Sequence, residues 1–318
     1  MYDNINSGIG AIIAKAMVDY PVTGKVFIVG KAGLACLNNI QSIFGSAHKD
    51  GTQIYHTTID SAVGSCVLGR GDLILVLPGH TETVTATSIA LDIADVTIVN
   101  LGKGTNAPTY TFSTAAATIT VSAANINFIG GNFVANFLDV ASAFTVTTAK
   151  NFVVKETKIK DSTSILNFLS FVTTNATNNA ADGLTVVDNY YHALNTTPLA
   201  FVSVLANENE IEVSRNFVDS ASTADVGHFL TIAAKVILGA RIQDNTLIVV
   251  GATDAAVGIF LTGSSTTNTG IVSGNKVASL DTTTELIATA GTGLKFFENY
   301  YTGTADASGK LWPAVDGA

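Results

Sequence analysis

One short pattern of apolar and polar positions recurs along the chain. LTVVDNYY at 184–191 returns as LKFFENYY at 294–301, and between them lie IEVSRNFV at 211, ARIQDNTL at 240 and GIVSGNKV at 270. Each copy places two alternating apolar residues before two polar or small ones, then an Asn, then a hydrophobe or aromatic. Aligning on that Asn gives Asn132, Asn189, Asn216, Asn245, Asn275 and Asn299, with Thr157 of FVVKETKI in the same slot, at spacings of 25, 32, 27, 29, 30 and 24 residues. The apolar residues stand five and three positions before the Asn, as in Leu184/Val186, Ile211/Val213 and Leu294/Phe296. A period of two is that of a strand. A second strand-like run falls between successive Asn positions: AFTVTTA at 143, LAFVSVLA at 199, HFLTIAA at 228, VGIFLTG at 257 and TELIATA at 284.

Self-similarity at this period predicts a solenoid, because a unit this short cannot bury its apolar face without stacking on its neighbours. Strand, sharp turn, strand and loop in each unit predict an all-β chain wound as a parallel β-helix. Like residues then lie over one another, so the Asn residues are expected to form a column of amides, each donating one way and accepting from the other. Asn also tolerates the left-handed backbone of a sharp turn. The ends of such a stack must be covered. At the N-terminal side, Thr57 or Thr58 is placed to cap a short helix with Ile59, Ala62, Val63, Cys66 and Val67 on one face, a lid for the stack. GDLILVLPG then reads as the first full strand, stopped at Pro78-Gly79. GKVFIVG at 24–30 is a further strand candidate, and INSGIGAIIAKAMVDYP reads as a helix or anchoring arm. The expected organisation is a docking and capping region over 1–68, a β-helix over 69–303 and a tail over 304–318 in which Trp312 folds over the last coil.

Composition narrows the function. Hydrophobic residues make up 47% of the 318 positions and charged residues 13%, enough for a large core, yet no run approaches the length of a membrane-spanning helix. The first residues lack a basic start, apolar core and cleavage site, so no secretory signal is expected. Net charge is −9, and the only arginines are Arg70, Arg215 and Arg241. A nucleic-acid partner, which needs clustered Lys and Arg, is not expected. Cys36 and Cys66 are too few for a disulfide framework and lack metal-ligand spacing.

MYDN at the start, the TIDSAVG helix, GDLILVLPGHTETVT, DVTIVNLGKGTNAPTYTF and the closing ASGKLWPA together resemble a family of tailed-bacteriophage virion structural proteins with a right-handed, pectate-lyase-like parallel β-helix. The most distinctive stretch is PGHTET, Pro78 to Thr83, followed by the LGKGTNAPT loop. The resemblance implies a virion location, a head decoration or surface appendage, contact with other capsid or tail proteins, and a homo-oligomer, with a trimer favoured. The alternative it leaves open is a tailspike or receptor-binding protein that binds or cleaves host surface polysaccharide.

The residues point away from catalysis. Polysaccharide hydrolases of this shape are expected to carry an Asp-Asp pair, a Gly-His-Gly element and an Arg-Ile-Lys element. Here no two Asp are adjacent, His228 sits in GHF and Arg241 in RIQ. Asp188, Asp244 and Glu298 precede the Asn column and are expected to be solvated turn residues, although two of them could approach the separation a glycosidase needs. Arg215 is expected to pair with Glu212 at the surface. His48, His56, His80, His192 and His228 have no zinc-site spacing, and His80 is expected to cap the PG turn. GRGD at 69–72 reads as the turn into the first strand. No catalytic residue, cofactor or metal is therefore assigned. Tyr190, Tyr191, Tyr300 and Tyr301 are the candidates for stacking on a host glycan, with packing in the core or between subunits the favoured role.

Overall fold

Residues two apart in a strand share a face, so the apolar pair of each repeat must meet a common core. That core is the inside of a parallel β-solenoid of about eight turns. The computed structural model describes residues 9–20, 22–34, 36–37, 40–41, 45–194, 200–220, 228–232, 235–249, 259–261, 267–279, 287–289, 293–303 and 306–312. Three long sheets of eleven, ten and eight strands form its walls. A representative coil contributes Thr185–Val187 to the first wall, Tyr190–Ala193 to the second and Ala200–Val204 to the third. Two strands per coil were expected, and the additional one follows directly after the Asn turn. It escapes the hydrophobic pattern because its outward positions are polar, as at Lys158, Lys160, His192 and Asp219.

Coils stack in register. Val154, Val186, Val213, Ile242, Val272 and Phe296 occupy one file of the first wall. Inside, Phe171, Phe201 and Phe229 lie over one another with centroids 5.3 Å apart and planes 16° and 24° from parallel. At about 4.8 Å per coil the stack is roughly 40 Å long. At the far end Asp306–Trp312 runs antiparallel beside Asn299–Gly303, so this part of the tail adds an edge strand to the second wall.

The amide column runs from Asn189 through Asn216, Asn245 and Asn275 to Asn299, all buried. The Nδ2 of Asn216 donates to Asn245 Oδ1 at 3.1 Å and to the Val186 carbonyl at 2.8 Å. The Oδ1 of Asn245 also accepts the Asn216 backbone N–H at 3.0 Å. This leaves both amide hydrogens and both lone pairs used at each interior step. Thr157 starts the series, its hydroxyl donating to Asn189 Oδ1 at 2.7 Å.

Two details differ from expectation. The left-handed residue is not the Asn but the one before it: Glu156, Asp188, Arg215, Asp244 and Glu298 have φ between 49° and 59°, and Gly274 has 67°. Asn132 is also outside the column. It pairs in register with Lys158, which places Gly131 in the slot of Thr157. There a Cβ would crowd the Tyr110 ring at 3.1 Å and the Asn100 amide at 3.3 Å. Asn100 fills that space instead, donating to the carbonyls of Ile129 and Gly130 and accepting from the Tyr110 hydroxyl.

The N-terminal end is closed from two sides. Thr58 caps the helix Ile59–Val63, accepting from the Ser61 N–H at 3.2 Å, and Ile59, Ala62 and Val63 plug the core. This helix is shorter than the apolar spacing predicts. Cys66 is buried beyond it, and Val67 is 50% exposed. Val26–Val29 pairs with Asp72–Val76, and Tyr55–His56 pairs with Val26–Val29, so stacking begins upstream of residue 69. The helix Ile9–Asp19 sets Ile13 and Ala16 into a second apolar cluster with Ile28, Leu73, Leu75, Leu77, Val99 and Ile129. Both faces of Asp72–Val76 are therefore covered, which is why LILVL is a continuous apolar run rather than an alternating one. Among the described residues no helix is long and apolar enough to cross a membrane.

Two buried carboxyls have opposite consequences. Asp72 accepts from the N–H groups of Lys25 (2.7 Å) and Val67 (2.9 Å) and from Arg70 Nε (2.6 Å) and Nη2 (2.7 Å). Burial alone would raise its pKa, but Arg70 and the two N–H groups outweigh it and hold the carboxyl below its ordinary value. Glu208 is buried at the corner before the first wall. One oxygen accepts from the Ala181 N–H at 2.9 Å and the other meets no partner. Burial, aided by the charge of Asp182 and opposed by that N–H, pushes its pKa up to about 7.

Asn245→Ala is expected to cost about 3 kcal/mol in chemical denaturation, because it strands buried groups on both neighbouring coils, whereas Asn132→Ala should stay within about 0.5 kcal/mol. Asp72→Asn is expected to cost about 3 kcal/mol at neutral pH. Since the folded-state pKa is depressed, the parent's advantage should disappear as pH falls through that value, which thermal melts across the acid range will read. Glu208 has the reverse sign: its raised folded pKa disfavours the folded state as pH rises from the unfolded value toward 7 and beyond. Glu208→Gln should therefore melt higher than the parent at pH 8 and no higher at pH 4.

Candidate ligand-binding groove

The outer face of the second wall is built from every other residue of its strands. One file runs Thr109, Asn132, Lys158, Tyr190, Phe217, and the next runs Thr111, Val134, Lys160, His192, Asp219. A groove of 670 Å³ opens over these files, walled on one side by the turn at Gly104–Asn106 and lined between the files by outward-facing Val134. Asn132 holds that turn in place, its Nδ2 donating to the Gly104 carbonyl at 3.2 Å. The distinctive LGKGTNAPT segment thus forms a wall of the groove.

Tyr190 stands at the end of the groove. Phe217 stacks on one side of its ring, with centroids 5.5 Å apart and planes 13° from parallel. The Lys158 coil lies on the other side. Backed in this way, the phenol presents a ring face of fixed orientation toward Lys158 and Lys160, both exposed. His192 Nδ1 lies 3.1 Å from Asp219 Oδ2, so these two groups engage each other at the margin. Chemically the groove offers one aromatic face, two ammonium groups, an amide and the hydroxyls of Thr105 and Thr109.

The remaining candidates fall elsewhere. Tyr191 is buried, and its hydroxyl donates to Asp161 at 3.0 Å, so it is a core residue and not a stacking platform. Burial and the adjacent Asp161 hold its phenol well above the ordinary range. Tyr300 is exposed in the same file as Tyr190 but four coils further along. The side chain of Tyr301 lies outside the described residues, although its backbone is in register with Val277. Asp188 receives both Nε (2.8 Å) and Nη2 (2.9 Å) of Arg215, so Arg215 pairs one coil back and not with Glu212. Glu212 instead lies 3.9 Å from Arg241.

The histidines are dispersed. His56 contacts Ser61 Oγ at 2.9 Å, and His48 packs against Phe27. His80 is wholly buried behind the PG turn with Nε2 3.2 Å from Glu82, and Glu82 in turn accepts from the Ile59 N–H that opens the capping helix. The His228 side chain lies outside the described residues. Both cysteines are free thiols, and burial, with the charge of Asp72 adding to it, pushes Cys66 up to about 12. Among the described residues no three His, Cys, Asp or Glu side chains gather as a metal site.

Lys158, Lys160 and Asp219 are not singled out by the sequence, and His192 only as a histidine without zinc-site spacing. The readable signal was KETKIKD, where two lysines flank an isoleucine at strand spacing immediately after the column slot. A scan against protein-family models finds no match for the chain, and searches of curated proteins and of solved structures find none either.

Proposed function

We propose that this chain is a non-enzymatic structural component of a tailed-phage virion, a stiff rod serving as a head decoration or surface appendage. The observation that carries this reading is the closed amide column from Thr157 to Asn299, in which each step ties the backbone of one coil to the side chain of the next. Such a column resists the separation of coils, the mechanical demand on a particle-surface part. The proposed location rests on the resemblance of the sequence motifs to those of phage virion proteins. The acidic residues beside the column fit the same role: Asp188 is occupied by Arg215, and Asp188, Asp244 and Glu298 all sit at left-handed corners where the chain changes wall. The N-terminal region, with Val18 79% and Leu68 70% exposed, supplies apolar surface for docking or for pairing subunits, and a homotrimer is the favoured assembly.

Antibody raised against the chain should label gradient-purified phage particles, and the purified protein should scatter light with the mass of a trimer. Presence in the lysate with no signal on purified particles would remove the virion assignment. A monomeric mass would remove the trimer.

A further inference from the structure

We propose that the groove on the outer face of the second wall binds an extended oligosaccharide that carries carboxylates, and that Tyr190, Lys158 and Lys160 are its principal contacts. The inference stands on the groove's own chemistry and does not depend on where the rod is mounted.

The backed ring is the first element. A sugar ring presents a face of C–H groups that packs on an aromatic surface, and a platform that cannot swing away loses little entropy on binding. Tyr190 is such a platform because Phe217 lies parallel behind it. The second element is charge. Lys158 and Lys160 flank Ile159 in one strand, so both ammonium groups leave from the same face, about 6.6 Å apart along the chain at strand spacing. Neither lysine has an ion-pair partner among the described residues, whereas the adjoining His192 and Asp219 engage each other. Two available cations in one groove, on a chain whose net charge is −9, select for anionic groups at this place and not over the surface at large.

Third, the polar lining suits hydroxyls. The Thr105 hydroxyl both donates and accepts, and Asn132, whose Nδ2 is held by the Gly104 carbonyl and Thr109 Oγ1, keeps its Oδ1 as an acceptor for a sugar hydroxyl. The volume of 670 Å³ lies in the middle of the range of about 300–1,000 Å³ typical of small-ligand sites, room for several sugar units. Single-stranded nucleic acid would also use an aromatic face and cations, but it needs a basic track that follows a phosphate chain and several platforms in succession. This groove holds one platform and two lysines.

Calorimetric titration of the intact protein tests the proposal with four probes: a hyaluronan hexasaccharide, a sialic acid trimer, neutral maltohexaose and a short oligothymidylate. At least one acidic saccharide should bind about tenfold or more tighter than maltohexaose and the oligothymidylate, and its affinity should fall as salt is added. Tyr190→Ala and the double variant Lys158→Gln/Lys160→Gln should each weaken that binding about tenfold. The lysine side chains are exposed, so the double variant keeps the parent's melting temperature and reads binding alone. Equal or tighter binding of maltohexaose, tighter binding of the oligothymidylate, no heat with any probe, or undiminished affinity in the lysine variant would each overturn the proposal.

Discussion

From the Thr157 coil onward the stack depends on the amide column, because it links coils at a point where main-chain pairing alone would leave the corner open. The N–H of Asn189, Asn216, Asn245 and Asn275 turns inward and is taken by the Oδ1 of the next coil. A coil shifted by one residue would present its left-handed corner residue where an amide belongs and would leave buried donors unpaired. The column therefore specifies register as well as strength, and the outward files of the second wall line up only because the register holds. The groove is a consequence of the same constraint: Lys158 faces Tyr190, and Tyr190 faces Phe217, since each lies one residue beyond its column position.

The stacking that closes the interior leaves a raw edge at the first coil, and the N-terminal residues are spent on it. Val26–Val29 extends the first wall, Ile59–Val63 plugs the lumen, and Ile9–Asp19 covers the outside. Asp72 joins these layers, receiving the Lys25 N–H from just before the added strand and the Val67 N–H from the loop after the plug. Gly24 is required at that junction, since a Cβ there would collide with the Asp72 carboxylate. The GRGD turn is thus a structural clamp, with its arginine and aspartate bound to each other.

Much of the fold was legible because the apolar pair before each Asn is regular, and a period near 28 residues leaves few architectures open. Asn132 is the exception among the aligned asparagines. Counting back from it gives Asn127 and Ile129, whereas counting back from Gly131 gives Ile126 and Phe128, both buried in the core. The apolar pair was the sounder guide, and the doubled glycine marked where the amide was displaced by Asn100 and Tyr110. The groove was harder to see. Tyr190 was legible as an aromatic after the column, but its neighbour Tyr191 looks identical in sequence and only strand alternation sends it inward to Asp161. The lysines that complete the site lie 30 and 32 residues from Tyr190 and meet it only through stacking.

The column also has a direction: each side-chain amide reaches toward the C-terminal neighbour and back to a carbonyl on the coil before. Because the bonds at every interior step are alike, a coil is an interchangeable unit. Excision of 216–244 would bring Asn245 onto Asn189 with the same donors and acceptors available, and duplication would do the converse. Rod length can thus change by whole increments of about 4.8 Å without redesign of either end. A lineage carrying this chain can adjust the length of the stack by gaining or losing single coils.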